Sequence, residues 1–88
     1  MGKTILIALL SKRRGAAVEF QRIITDFGCI IKTRLGIHDG VLDKCSDQGL
    51  IILELVGDRA QINDLQVKLD GLDGVATRLV DISLMEKK

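Results

Sequence analysis

Two stretches constrain this 88-residue chain more than anything else in it: "KTILIALLS" (residues 3–11) and "LIILELV" (residues 50–56). Each has the length of a strand and is apolar at both alternating positions. Ile5, Ile7 and Leu9 point one way from the first run, and Leu6, Ala8 and Leu10 the other. Only Glu54 interrupts the second run. A strand with one face in water alternates apolar and polar residues, so these two belong in the middle of a sheet covered on both sides.

Between and after them the period changes. From residue 16 to 27 the apolar residues fall at helical spacing: Ala16 or Ala17, Phe20, Ile23 or Ile24, and Phe27, with Glu19, Arg22 and Asp26 outside the stripe. Gly28 is placed to close this helix. "CIIKTRLGI" then alternates as a strand, with Cys29, Ile31, Thr33, Leu35 and Ile37 on one face and Ile30, Lys32, Arg34 and His38 on the other. "HDGVLDKCSDQG" reads as a long hairpin connection. In "GDRAQ", Asp58 is an N-cap and Gln61 the third residue of a capping-box pattern; Ile62, Leu65 and Leu69 form the helix's buried stripe, and Gly71 its end. A last strand runs from Val75 to about Leu84.

The order is β-α-β-β-α-β. "TRL" occurs at residues 33–35 and again at 77–79, half a chain apart, as a duplicated β-α-β unit would place it. The pattern predicts an α+β, ferredoxin-like split β-α-β domain: a four-stranded antiparallel sheet with two helices on one face. The domain is single, residues 1–88, with an ordered core of about 3–84. The first and third strands lie centrally, and the edge strands carry Lys32, Arg34, Arg78 and Asp81, charge that discourages unwanted edge pairing.

If both helices pack on one face, the other face has an aliphatic centre. Its candidates are Leu6, Ala8 and Leu10, or their alternates, beside Leu50, Ile52 and Val56. Each such side chain gains roughly 1.5–3 kcal/mol when fully buried, and a bare patch of this size is unusual on a monomer. The expectation is self-association through the sheet, as a homodimer or homotetramer.

Composition narrows the function. Charged residues make up 28% of the chain and nearly balance, leaving a net charge of +1, with two Phe and no Tyr or Trp. A nucleic-acid surface needs a basic excess or stacking platforms, so direct nucleic-acid binding is not expected. The longest apolar run is strand-sized and no export signal is evident, so membrane insertion is not expected, and a cytoplasmic location with reduced thiols is.

Candidate chemistry is sparse. Cys29, His38 and Cys45 are metal-ligand types, but their separations of nine and seven residues lack the close pairs of structural zinc sites, and Cys29 reads as a buried thiol. Neither cysteine has a third orienting group or an oxyanion signature around it, so no catalytic residue is assigned and no enzyme activity is expected. "MGKT" has no strand or earlier glycine before it and is no phosphate loop. Lys12, Arg13 and Arg14 in "SKRRGAA" read as a solvated loop rather than an anion site. Lys32, Arg34 and Arg78 are expected on one sheet face, either holding an anionic small molecule or, the favoured reading, pairing with Glu54 and Asp81 across strands.

"FGCIIKTRLGI" (residues 27–37) resembles the helix end, strand and Gly-Ile exit of the iron-only hydrogenase system regulator family, in which an aromatic-Gly pair precedes the strand and Arg-hydrophobic-Gly-Ile closes it. "GLIILELVGDRAQINDLQVKLDGLDGV" (residues 49–75) is similar to its second half, with the helix running into Leu-x-Gly-Val. The resemblance covers about residues 3–80. It departs where His38-Asp39 and Asp73 stand in place of customary prolines. It implies an ACT-like fold, related to the effector domain of nickel-responsive repressors and to amino-acid-sensing ACT domains. It also implies oligomeric assembly, a regulatory role tied to hydrogenase genes, and a small-molecule or metal effector held between subunits. The motif does not carry the ligand's identity, so the cofactor is left unknown. Arg34, Gly36 and His38, at the exit of the motif strand, are the ligand-binding candidates. The alternative is a protein–protein interaction module with no small-molecule ligand.

Overall fold

The computed structural model describes residues 2–11, 16–38 and 49–84. The elements are β1 (Gly2–Leu10), α1 (Ala16–Asp26), a 3-10 turn (Gly28–Ile30), β2 (Ile31–His38), β3 (Gly49–Leu55), α2 (Arg59–Asp70) and β4 (Val75–Ser83). They form one antiparallel sheet in the order β2-β3-β1-β4 with two helices, the predicted β-α-β-β-α-β architecture. Among the described residues no helix is long and apolar enough to cross a membrane.

The core lies between the helices and one face of the sheet. Leu6, Ala8 and Leu10 of β1 and Leu53 and Leu55 of β3 are buried, so of the two apolar faces of β1 it is the even-numbered one that meets the helices. Phe20 and Ile24 of α1 and Ile62, Leu65 and Leu69 of α2 pack against them. The ambiguous helical positions resolve to Ala16, buried, over Ala17, exposed, and to Ile24 over the half-buried Ile23. Burying so much aliphatic surface on one side of two central strands is the main source of stability.

Local devices fix the helix ends. The Asp58 N–H donates to Gln61 Oε1 at 3.4 Å, as the capping pattern predicts, and Asp58 holds an extended backbone before α2. Gly57 just ahead of it has φ +102°, where an L residue is strained; an added Cβ would also sit 3.0 Å from Ile30 Cγ2. Gly71 caps α2, its N–H donating to Val67 O at 3.0 Å, and Gly74 at φ +86° opens β4.

Three expectations are corrected. First, β2 begins two residues later than predicted, because residues 28–30 wind into a 3-10 turn held by Ile30 N–H to Phe27 O (3.0 Å) and by Val56 N–H to Ile30 O (2.8 Å). Cys29 sits in that turn and is exposed, not a buried thiol. Second, β3 ends at Leu55, one residue short of the predicted Val56, which stands exposed just beyond it. Third, β2 carries a β-bulge: Ile31 pairs with Leu55 but Thr33 already pairs with Glu54, leaving Lys32 as the extra residue. One inserted residue reverses the facing of everything after it. Thr33 and Leu35 therefore belong to the open face, not the core, and Arg34 to the helix side. Residues 12–15 and 39–48, including Lys12, Arg13, Arg14, Cys45 and most of "HDGVLDKCSDQG", lie outside the described residues.

Candidate functional site

Among the described residues, the face of the sheet away from the helices is the extended apolar surface that asks for a partner. Its side chains stand in cross-strand rows. Leu35, Ile52, Ile7 and Arg78 make one row, and Thr33, Glu54, Ile5 and Val80 the next. Leu50, Leu9 and Ala76 lie beyond the first, and Lys3 and Ile82 beyond the second. The face is thus aliphatic across its middle with charge at its margins. Leu9, Leu35 and Ile82 are 47%, 54% and 55% exposed, well above what large hydrophobic side chains on a covered face show. The odd-numbered residues of β1, the alternates of the two sets read from the sequence, are therefore the ones uncovered.

Charge on this face is uneven. Among the described residues Glu54 is its single carboxylate, and it is well occupied. Lys3 Nζ donates to Glu54 Oε2 at 2.6 Å, Lys32 Nζ lies 3.9 Å from the same oxygen, and the Thr33 hydroxyl donates to Oε1 at 3.2 Å. The Lys3 hydrogen bond holds the Glu54 carboxyl below its ordinary range and in turn raises the Lys3 ammonium. The bulge makes this possible, because Lys32 and Thr33 both reach the residue opposite them. Arg78 is different. Among the described residues it makes no ion pair and no side-chain hydrogen bond, and it stands beside a shallow depression of about 190 Å³ lined by Ile7, Leu9, Ala76, Thr77 and Arg78 itself.

The three cations expected together are thus split. Lys32 and Arg78 address the open face, whereas Arg34, opposite Leu53, donates to Gln21 Oε1 of α1 on the helix side. The favoured structural pairing holds for Lys32 with Glu54, while Asp81 is taken not by a strand cation but by Arg59 of α2 (2.8 Å) and the Thr4 hydroxyl (2.7 Å). Arg59 and Thr4 together hold the Asp81 carboxyl below its ordinary range.

Of the candidates Arg34, Gly36 and His38, the structure places all three at alternate positions of β2. Gly36 is opposite Ile51, with open space where a Cβ would stand. His38 is opposite Gly49, and its side chain lies outside the described residues. Among the described residues no group of three His, Cys, Asp or Glu side chains is arranged to hold a metal. The open-face residues of β4, Ala76, Val80 and Ile82, were missed by sequence reasoning. Their signal was present, since the even-numbered positions of "VATRLVDIS" are Ala76, Val80 and Ile82 once Arg78 is set aside.

No family model matches the chain, and no curated protein matches it. Solved structures do. An uncharacterized protein from Thermotoga maritima superposes with a TM-score of 0.79 at 24% identity, covering 94% of this chain and 100% of that one. An ACT domain from the GTP pyrophosphokinase of Chlorobium tepidum gives 0.63 at 17% identity, covering 91% and 97%. A nitrogen regulatory PII-like protein from Thiomonas intermedia K12, bound to ADP, AMP and bicarbonate, gives 0.64 at 10% identity, covering 100% and 98%. At these identities the likeness is one of fold, and the fold of this chain is ACT-like, shared with PII-like proteins.

Proposed function

We propose that this chain is a self-associating regulatory domain of ACT-like type, in which a second copy covers the open sheet face and a small effector binds between the copies. The observation that carries the reading is the aliphatic open face, with Leu9, Leu35 and Ile82 about half exposed. Covering half-exposed aliphatics recovers part of the roughly 1.5–3 kcal/mol that each fully buried one is worth. Several together are needed to exceed the loss of translational and rotational freedom on association, roughly 4–15 kcal/mol. This face supplies them in contiguous rows.

The ligand half of the proposal draws support from the company the fold keeps. The Thiomonas protein of similar shape holds two adenine nucleotides and bicarbonate, and the Chlorobium domain belongs to a GTP pyrophosphokinase. The motif resemblance to iron-only hydrogenase system regulators makes control of hydrogenase genes the process to test first. We assign the chain no catalytic step and a cytoplasmic setting. Cys29 stands exposed in a turn, and no cofactor is assigned to it.

Sedimentation across the micromolar range tests the assembly, and thermal unfolding with amino acids, nucleotides, carboxylates and divalent metals tests the effector. A sensor gains stability by mass action with the ligand that binds its folded state. A monomeric mass throughout refutes the assembly, and a dimer with a flat response across the panel replaces the sensor with an interaction module.

A further inference from the structure

We infer that Arg78 and the depression beside it bind a short aliphatic carboxylate, and that the site selects against the α-amino acid of the same carbon skeleton. The inference deepens the proposed function and rests on its assembly, because the open face becomes dry only when a second copy covers it. The depression of about 190 Å³ is lined by Ile7, Leu9, Ala76, Thr77 and Arg78. Aliphatic side chains beside an arginine suit a carboxylate with a short carbon chain.

Charge decides the class of ligand. Among the described residues the open face has three cations, Lys3, Lys32 and Arg78, against the single carboxylate of Glu54, which both lysines and Thr33 already engage. Covering the face strips water from a guanidinium that has no anion of its own among the described residues. A carboxylate answers that deficit with two parallel N–H···O bonds while its chain lies on Ile7 and Leu9. An α-ammonium brings a further positive charge to a face whose one carboxylate is taken. A 2-oxo acid or an unsubstituted acid brings none. The ligand is therefore apolar at one end, anionic at the other and without an amine.

Calorimetric titration of the full chain with 4-methylpentanoate, 4-methyl-2-oxopentanoate and L-leucine, with sedimentation run in parallel, tests this. The two carboxylates are expected to bind the dimer about tenfold or more tighter than leucine. Arg78→Gln changes an exposed residue and keeps the fold. It is expected to weaken carboxylate binding by about tenfold or more, with Arg78→Lys in between. Without carboxylate, Arg78→Gln should dimerise at least as tightly as the parent chain, since it no longer desolvates a charge. A dimer that binds no carboxylate at millimolar concentration, that binds leucine equally well, or whose binding ignores Arg78→Gln overturns the ligand inference and leaves the assembly standing. A chain that stays monomeric with and without carboxylate overturns the assembly, and this site with it.

Discussion

Strands β2 and β4 border the same sheet, and both contain Thr-Arg-Leu, yet the two tripeptides face opposite ways. In β4, Leu79 stands opposite Leu6 against the core, Thr77 turns toward α2, and Arg78 faces out beside Ile7. In β2, Thr33 and Leu35 face out and Arg34 turns in toward Gln21 of α1. The cause is the single extra residue at Lys32, because side-chain facing in a strand has a period of two. Identical local sequence therefore yields a core leucine on one edge and a surface leucine on the other. It also leaves one arginine engaged with a helix and one beside an apolar depression.

Truncating the two leucines separates stability from assembly and carries the largest expected effect. Leu79→Ala removes a side chain packed on the core and should lower unfolding free energy by about 2 kcal/mol, the low end for core leucines because Leu79 is only partly buried. Denaturant midpoints should show the same loss at every protein concentration. Leu35→Ala should alter the monomer by less than about 0.5 kcal/mol, as surface changes do. Its effect should appear as weaker self-association in sedimentation. If Leu35→Ala destabilises as much as Leu79→Ala at high dilution, the assigned facing of β2 is wrong.

The two threonines offer a smaller version of the same comparison. Thr77 donates its backbone N–H (3.1 Å) and its hydroxyl (2.7 Å) to Asp70 Oδ1, and its hydroxyl also accepts from Gln66 Nε2 at 3.3 Å, so it pins β4 to the end of α2. Thr77→Val leaves Gln66 without its acceptor and Asp70 with only the backbone N–H, and should cost about 1 kcal/mol by chemical unfolding. Thr33→Val loses one exposed bond to a carboxylate that Lys3 still holds, and should cost less than half as much. Equal losses would mean that the bulge-side hydroxyl is more than an accessory to Lys3.

The bulge also marks the limit of what could be read from residues alone. Helix positions were legible because the 3.6-residue period admits few buried stripes: Phe20 and Ile24 in α1, Ile62, Leu65 and Leu69 in α2 are where the spacing places them. Strand order followed from the two doubly apolar runs. Which face of those runs meets the helices was not legible, because Ile5-Ile7-Leu9 and Leu6-Ala8-Leu10 are equally apolar and only packing against α1 and α2 distinguishes them. The bulge had no local signature either. Ile31 and Thr33 flank it in an unbroken alternation, and Lys32 satisfies Glu54 only through a pairing 22 residues away in sequence. The Lys32-Arg34-Arg78 grouping failed for that reason, and with it the expectation that Arg34 borders the open face. Cys29 was misplaced because a 3-10 turn and a strand start look alike when both follow an aromatic-Gly pair.

The two carboxylates that serve these edges sharpen the contrast last, with the smallest expected effect. Asp81 of β4 is held by Arg59 and Thr4, and Glu54 of β3 by Lys3, Thr33 and Lys32. Both are pulled below their ordinary values of 3.8 and 4.5, so each folded-state pKa is lower than its unfolded one. Such a group contributes stability that is fully present above the unfolded value and lost as pH falls through the depressed one. Urea unfolding followed from neutral pH to about pH 3 should therefore show a gentle decline below about pH 4.5. Both pairs are solvated, so the decline should be slight and shrink further in 1 M salt, where screening acts within about 3 Å. Asp81→Asn should flatten the acid limb of stability and leave self-association alone. Glu54→Gln should do more, because among the described residues Glu54 is the open face's only counterweight to Lys3, Lys32 and Arg78. Protonating or neutralising it sets three cations of one copy against three of the other, so dimer affinity should fall below about pH 4.5 in the parent chain and at all pH in Glu54→Gln. A dimer indifferent to Glu54→Gln would show that copies do not meet across this face.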